Sequence, residues 1–166
     1  MSAGDAGADP AKEQSGSITT VHEYALPLPR DGVWTLISDV SRYRSWWPWL
    51  RVFQAAALAE GEEWRCEAQP PVPYPVRFRV RIEHVEAPLL VRATVSGDVV
   101  GTATLSLHEA ETGCSAVLES SLAPGNTALR LVSRFAGPIA RFGHDWVLDS
   151  GARQFIARAV EPLVSD

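Results

Sequence analysis

The chain has 166 residues, 46% of them hydrophobic and 21% charged, with a formal charge of −5 and an isoelectric point near 5.4. That length fits one domain with a substantial core, and the acidic balance argues against a general nucleic-acid binder, which carries a basic excess. No run approaches the roughly 20 apolar residues needed to cross hydrocarbon, so no integral membrane association is expected.

Met1 to Gly16 is dominated by Gly, Ala, Ser, Asp and Glu. It lacks the apolar centre of a secretory signal, and it cannot bury enough surface to offset ordering entropy. Residues 1–16 are therefore expected to be a disordered tail before a single domain over 17–163. Ile18 to Leu26 alternates and carries β-branched and aromatic residues, which predicts the first strand; Pro27 and Pro29 stop it. A short helix is expected from Arg30 or Asp31 through Ile37, with Asp31 as N-cap and Val33, Trp34 and Ile37 as its apolar face. A helical turn over Val40 to Arg44 leads into Trp46-Trp47-Pro48-Trp49, where Pro48 pushes Trp47 into an extended conformation.

Beyond this segment the period changes to two. Trp49 to Leu58 and Glu62 to Gln69 are expected as strands joined by a tight turn at Glu60-Gly61. The run Pro70-Pro71-Val72-Pro73-Tyr74-Pro75 has too few N–H donors for a ladder and reads as a loop. Phe78, Val80 and Ile82 alternate with Arg77, Arg79, Arg81 and Glu83, so that strand has one buried and one wet face. Leu89 to Ser96 and Val99 to His108 flank a turn at Gly97-Asp98. Glu111-Thr112-Gly113 turns the chain into Cys114 to Leu122, and Pro124-Gly125-Asn126 closes the sheet region. Thr127 to about Leu163 reads as helix with a break at Gly137-Pro138. Successive strands with short connections predict an antiparallel meander, and its apolar face needs the long helix as a cover. The expected class is α+β.

Placing the arginines outside defines an inward set that includes Trp64, Cys66, Ala68, Phe78, Val80, Ile82, Val91, Ala93, Val95, Gly101, Ala103, Leu105, Leu107, Cys114, Ala116, Leu118 and Ser120. Many of these are small, and the helix carries Gly151, Ala152 and Ala159. At interior packing density, small residues facing small residues leave a void, here an apolar pocket between sheet and helix. A close-packed core with the helix seated deep in the sheet is the competing arrangement. The helix bears two stripes: Val132, Phe135, Ile139, Phe142 and Trp146, then Leu148, Ala152, Phe155, Ala159 and Leu163 about half a turn away. The first stripe is expected to meet the Trp46 to Trp49 segment; a ligand or a second subunit in a homodimer would also cover it.

The stretch ALPLPRDGVWTLISDVSRYRSWWP (Ala25 to Pro48), the strands SGDVVGTATLSL (Ser96 to Leu107) and HDWVLDSGARQF (His144 to Phe155) resemble the START/birch-pollen-allergen-like superfamily, SRPBCC, in its bacterial polyketide cyclase/dehydrase-like branch. The resemblance covers about Ile18 to Val160. It implies a helix-grip fold, with a seven-stranded antiparallel sheet gripping a long helix around a deep hydrophobic cavity. It also implies binding of lipids, polyketides or other apolar molecules, with cyclisation in some members. It transfers no catalytic motif, because this scaffold hosts many activities.

His22 and Tyr24 share a face of the first strand and form the candidate acid–base pair; a solvated His22 beside an ordinary core Tyr24 is the alternative. His144 and Asp145 project about 100° apart on a helix, which favours a hydrogen bond from His144 to a loop carbonyl over a His–carboxylate pair. The four histidines, His22, His84, His108 and His144, are scattered, so no metal and no cofactor is expected. Cys66 and Cys114 lack metal or disulfide-framework spacing and fit a reduced, cytoplasmic protein. Trp46, Trp47 and Trp49 could pack in the core or line the pocket mouth. Arg77, Arg79 and Arg81 read as a wet strand face.

The preferred function is binding or transfer of a small hydrophobic molecule. Its expected wall is His22, Tyr24, Trp47, Trp64, Phe78, Val80, Leu105, Leu118, Phe142 and Trp146. The alternative is a cyclase or dehydratase that uses inward polar residues of the same cavity.

Overall fold

The computed structural model describes residues 17–135 and 137–165, without the side chains of 132–142. The tail expected over residues 1–16, and the side chains of Val132, Phe135, Ile139 and Phe142, lie outside the described residues. The chain forms an α+β helix-grip fold. Its strands are β1 (Ile18–Leu26), β2 (Leu50–Gln54), β3 (Glu63–Ala68), β4 (Val76–Glu86), β5 (Leu90–Gly97), β6 (Val99–Ala110) and β7 (Gly113–Pro124). Helices α1 (Arg30–Ser38) and α2 (Tyr43–Trp46) separate β1 from β2, and α3 (Thr127–Phe135) and α4 (Gly137–Phe155) follow the sheet. A π-helical turn, Ile156–Val160, and a last short helix α5, Glu161–Val164, end the chain.

All seven strands form one antiparallel sheet in the order β1-β7-β6-β5-β4-β3-β2. Hairpins pair β2 through β7 in sequence, while the α1–α2 excursion carries the chain from one edge strand to the other. β1 closes on β7 in continuous register, from Ile18 opposite Leu122 to Leu26 opposite Cys114. Trp64, Cys66, Ala68, Ile82, Val91, Ala93, Leu107, Cys114 and Ala116 are buried, whereas Arg65, Arg77, Arg79, Arg81 and Arg92 are exposed, as the alternation requires. At Gly101 the backbone has φ +148°, and a Cβ would stand 1.9 Å from the Ser121 carbonyl oxygen. Only glycine lets β6 and β7 approach there.

Three local expectations change. Asp31 does not cap α1: the helix opens at Arg30 behind Pro29, no side chain caps it, and Asp31 sits in the first turn. Proline, with φ already near the helical value, supplies the entry. β2 stops at Gln54 rather than Leu58. The alanine run that follows has low strand propensity, and its Ala57 carbonyl accepts the Trp64 Nε1–H at 2.9 Å. Leu163, placed on the helix's second stripe, is 55% exposed. The π-turn inserts one residue, which rotates everything after it by about 100°, so Ala159 and Val160 are buried instead. Pro138 falls in the first turn of α4, where a missing N–H costs nothing.

One carboxylate organises the end of the molecule where α3 begins. Asp98 accepts the Arg77 backbone N–H at 2.8 Å and Asn126 Nδ2–H at 2.7 Å, and Asn126 Oδ1 caps α3 by accepting the Leu129 N–H at 2.8 Å.

Candidate ligand pocket

Between α4 and the concave face of the sheet lies an apolar pocket of about 260 Å³. Ala103, Leu118, Ser120 and Leu122 form its floor, the proline-rich loop supplies Pro70, Val72 and Tyr74, and Val76 and Phe78 continue that wall. Gly143, His144, Val147 and Leu148 face it from the helix. The register explains the space. Ala93, Ala103, Ser120 and Thr20 stand side by side across four strands, so the middle of the floor carries almost no side-chain volume.

The polar groups here are few. Ser120 is buried, and its hydroxyl pairs with Thr20 Oγ1 at 3.0 Å. His144 Nδ1 lies 3.4 Å from Asp145 Oδ1, and its Nε2 is buried without a hydrogen-bond partner. The ring thus contacts its neighbour's carboxylate, and no loop carbonyl accepts from it among the described residues, contrary to the sequence expectation. Its Cα neighbours diverge on the helix, but the side chains still meet at the longer end of hydrogen-bond range.

The other half of α4 is filled. Trp46 and Trp47 stack on or abut Phe155, with ring centres 5.3 and 6.3 Å away. Trp47 Nε1 donates to the Gly151 carbonyl at 2.9 Å, Trp49 Nε1 to Gln154 Oε1 at 3.1 Å, and Arg158 Nη1 to the Trp46 carbonyl at 2.9 Å. A Cβ on Gly151 would lie 3.8 Å from both Trp47 and Trp49. The small helical residues at this end therefore make room for tryptophan rather than for a void.

The predicted wall residues divide accordingly. Phe78 and Leu118 line the pocket. Val80, Leu105 and Trp64 belong to the core, with Trp64 edge-on to Tyr43 and Phe53. Trp47 belongs to the aromatic cluster, and Trp146 meets Trp49 at 6.1 Å. His22 and Tyr24 stack at 6.1 Å beside one another and are not among the pocket-lining residues. Tyr24 Oη is buried without a partner, and burial, helped by the Asp149 carboxylate, raises its pKa, so it stays a phenol. Sequence reasoning missed Val72 and Tyr74: they alternate with prolines, a signal of a loop whose two side chains face one way.

A larger depression of about 540 Å³ lies on the outer face of the sheet, lined by Arg65, Glu67, Arg77, Arg79 and Asp98. Its arginines are engaged: Arg77 pairs with Glu67 at 2.8 Å and Arg79 with Glu63 at 3.4 Å. It gives an apolar molecule nothing to bury against. Among the described residues, no group of three or more His, Cys, Asp or Glu could hold a metal ion, and no helix is long and apolar enough to cross a membrane.

No family model matches the sequence, and no curated protein matches it. Solved structures do. A Thermus thermophilus protein superposes with a TM-score of 0.64 at 15% identity, covering 86% of this chain and 99% of its own. A Rhizobium leguminosarum protein does so with a TM-score of 0.61 at 13% identity, covering 83% and 93%. The di-domain ARO/CYC StfQ from the steffimycin biosynthetic pathway reaches 0.69 at 8% identity over 91% of this chain and 53% of that one. At these identities the likeness establishes the fold, a polyketide-cyclase-like SRPBCC helix grip.

Proposed function

We propose that this helix-grip chain binds a small hydrophobic molecule, lipid-like or polyketide-like, in the pocket between α4 and the sheet. The observation that carries this reading is the almost wholly apolar lining around a floor of small residues. An apolar cavity of about 150 Å³ stays dry and takes one benzene ring. The 260 Å³ here suits a one- or two-ring guest. A guest hiding about 200 Å² would gain roughly 5 kcal/mol from burial, a Kd in the sub-millimolar range before any polar contact. Two free, buried cysteines suit a cytoplasmic setting.

The test is native mass spectrometry on protein purified from cells, with Ala103→Phe as the control that fills the floor. A co-purifying small molecule in the wild type that disappears in the variant supports the reading. A second reading, a cyclase or dehydratase, rests on the unpartnered Tyr24 phenol and on the name of StfQ. Tyr24→Phe would then abolish turnover of a polyketide-like substrate while leaving binding intact.

A further inference from the structure

We infer that His144 is the specificity-determining residue of this pocket, and that its Nε2 accepts a hydrogen bond from a hydroxyl group on the bound molecule. The inference rests on the pocket reading above and names the chemistry of the guest. Three observations carry it. The His144 ring is part of the pocket lining. Its Nδ1 faces Asp145 Oδ1 at 3.4 Å, and a carboxylate only accepts, so the ring proton belongs on Nδ1. In the neutral ring Nε2 is then a bare lone pair, and it is buried with no hydrogen-bond partner. A buried acceptor without a donor is costly, and a donor brought by a guest removes the cost.

The rest of the lining narrows the choice. Ser120 is already engaged with Thr20, so it does not compete for the guest's polar group. No charged side chain other than the His144 ring belongs to this lining, so a carboxylate or phosphate would enter unpaired. The expected guest is an apolar one- or two-ring molecule with a hydroxyl, a phenol or enol above all, positioned against the first half of α4.

Titrations with naphthalene, 2-naphthol and 2-methoxynaphthalene test this, because the three differ little in shape and only the naphthol donates. Wild-type protein should bind 2-naphthol about three- to tenfold more tightly than the other two, the worth of one net hydrogen bond. His144→Phe should abolish that preference while keeping naphthalene affinity, which serves as the check on an intact pocket. Should His144→Phe lose naphthalene as well, His144→Gln, whose side-chain oxygen accepts, is the deciding variant and should retain a preference for the naphthol. Equal binding of all three to the wild type, or a preference that survives in His144→Phe, overturns the assignment of His144 and leaves the pocket reading standing. Failure of all three to bind wild-type protein overturns both.

Discussion

The two halves of α4 meet the same sheet and arrive at opposite packing. From Gly151 onward the helix is clamped: Trp46 is 1% exposed and Val160 0%, and three side-chain hydrogen bonds tie it to the Trp46–Trp49 segment or its backbone. From Gly143 to Leu148 it spans a pocket whose floor is alanine and serine. Small residues occur in both halves, so smallness alone does not make a cavity. What differs is the partner. Tryptophan rings on a proline-stiffened segment occupy one end, and a short cross-strand row of Ala93, Ala103 and Ser120 leaves the other open.

The largest effect that tests this contrast is Trp46→Ala. The ring is fully buried against Tyr43, Trp47 and Phe155, and its N–H has no acceptor, so the change removes packing alone. A loss of about 3–5 kcal/mol is expected in denaturant unfolding. A loss under 1 kcal/mol would show that the clamped end is not clamped. The next comparison pairs two leucines. Leu107, 2% exposed in the close-packed region, should cost about 2–5 kcal/mol on truncation to alanine. Leu118→Ala should cost clearly less, because the pocket already leaves one side of Leu118 without contacts. Equal costs would mean that the pocket closes around Leu118 in solution.

How far the sequence led follows the same division. Seven strands, their order and the inward parity were legible because period-two alternation with arginines outside is a backbone-level signal. The pocket's existence was legible too, from the small residues on the sheet. Its walls were not. Trp47 and Trp146 are large and apolar, which is equally true of a core residue and of a pocket residue, and only three-dimensional placement put them with Phe155 and Trp49. The π-turn at Ile156–Val160 carries no proline or glycine to announce it, so the misplacement of Leu163 could not be foreseen.

Cys66 marks the boundary, standing on β3 between Trp64 of the aromatic cluster and Ala68 of the pocket lining. Burial pushes its thiol from 9.0 up to about 12. The unfolded thiol ionises first as pH rises, so the native state binds more protons there and loses stability above pH 9, until both forms are ionised near 12. Between pH 9 and 10 the drop should be on the order of 1 kcal/mol, absent in Cys66→Ala. Melting curves of both proteins across that range decide it. Arg158→Ala should cost a similar amount, about 1 kcal/mol, by freeing the Trp46 carbonyl at the clamped end.

The smallest change separates the two halves most cleanly, because it should differ in sign. Ala159 is 2% exposed, and leucine there has no room; overpacking should cost about 1–3 kcal/mol or more. Ala103 faces the pocket, and the added methylenes of Ala103→Leu would enter empty space, each gaining up to about 0.8 kcal/mol of burial. Off-rotamer crowding against Leu105 or Leu118 offsets part of that gain, so the net should lie near zero or be mildly stabilising. The same substitution should weaken binding of any guest, since it takes volume from the floor. A site that gains stability while losing its ligand is one whose emptiness is maintained for the ligand; a strongly destabilised Ala103→Leu would instead mean that the floor is already full.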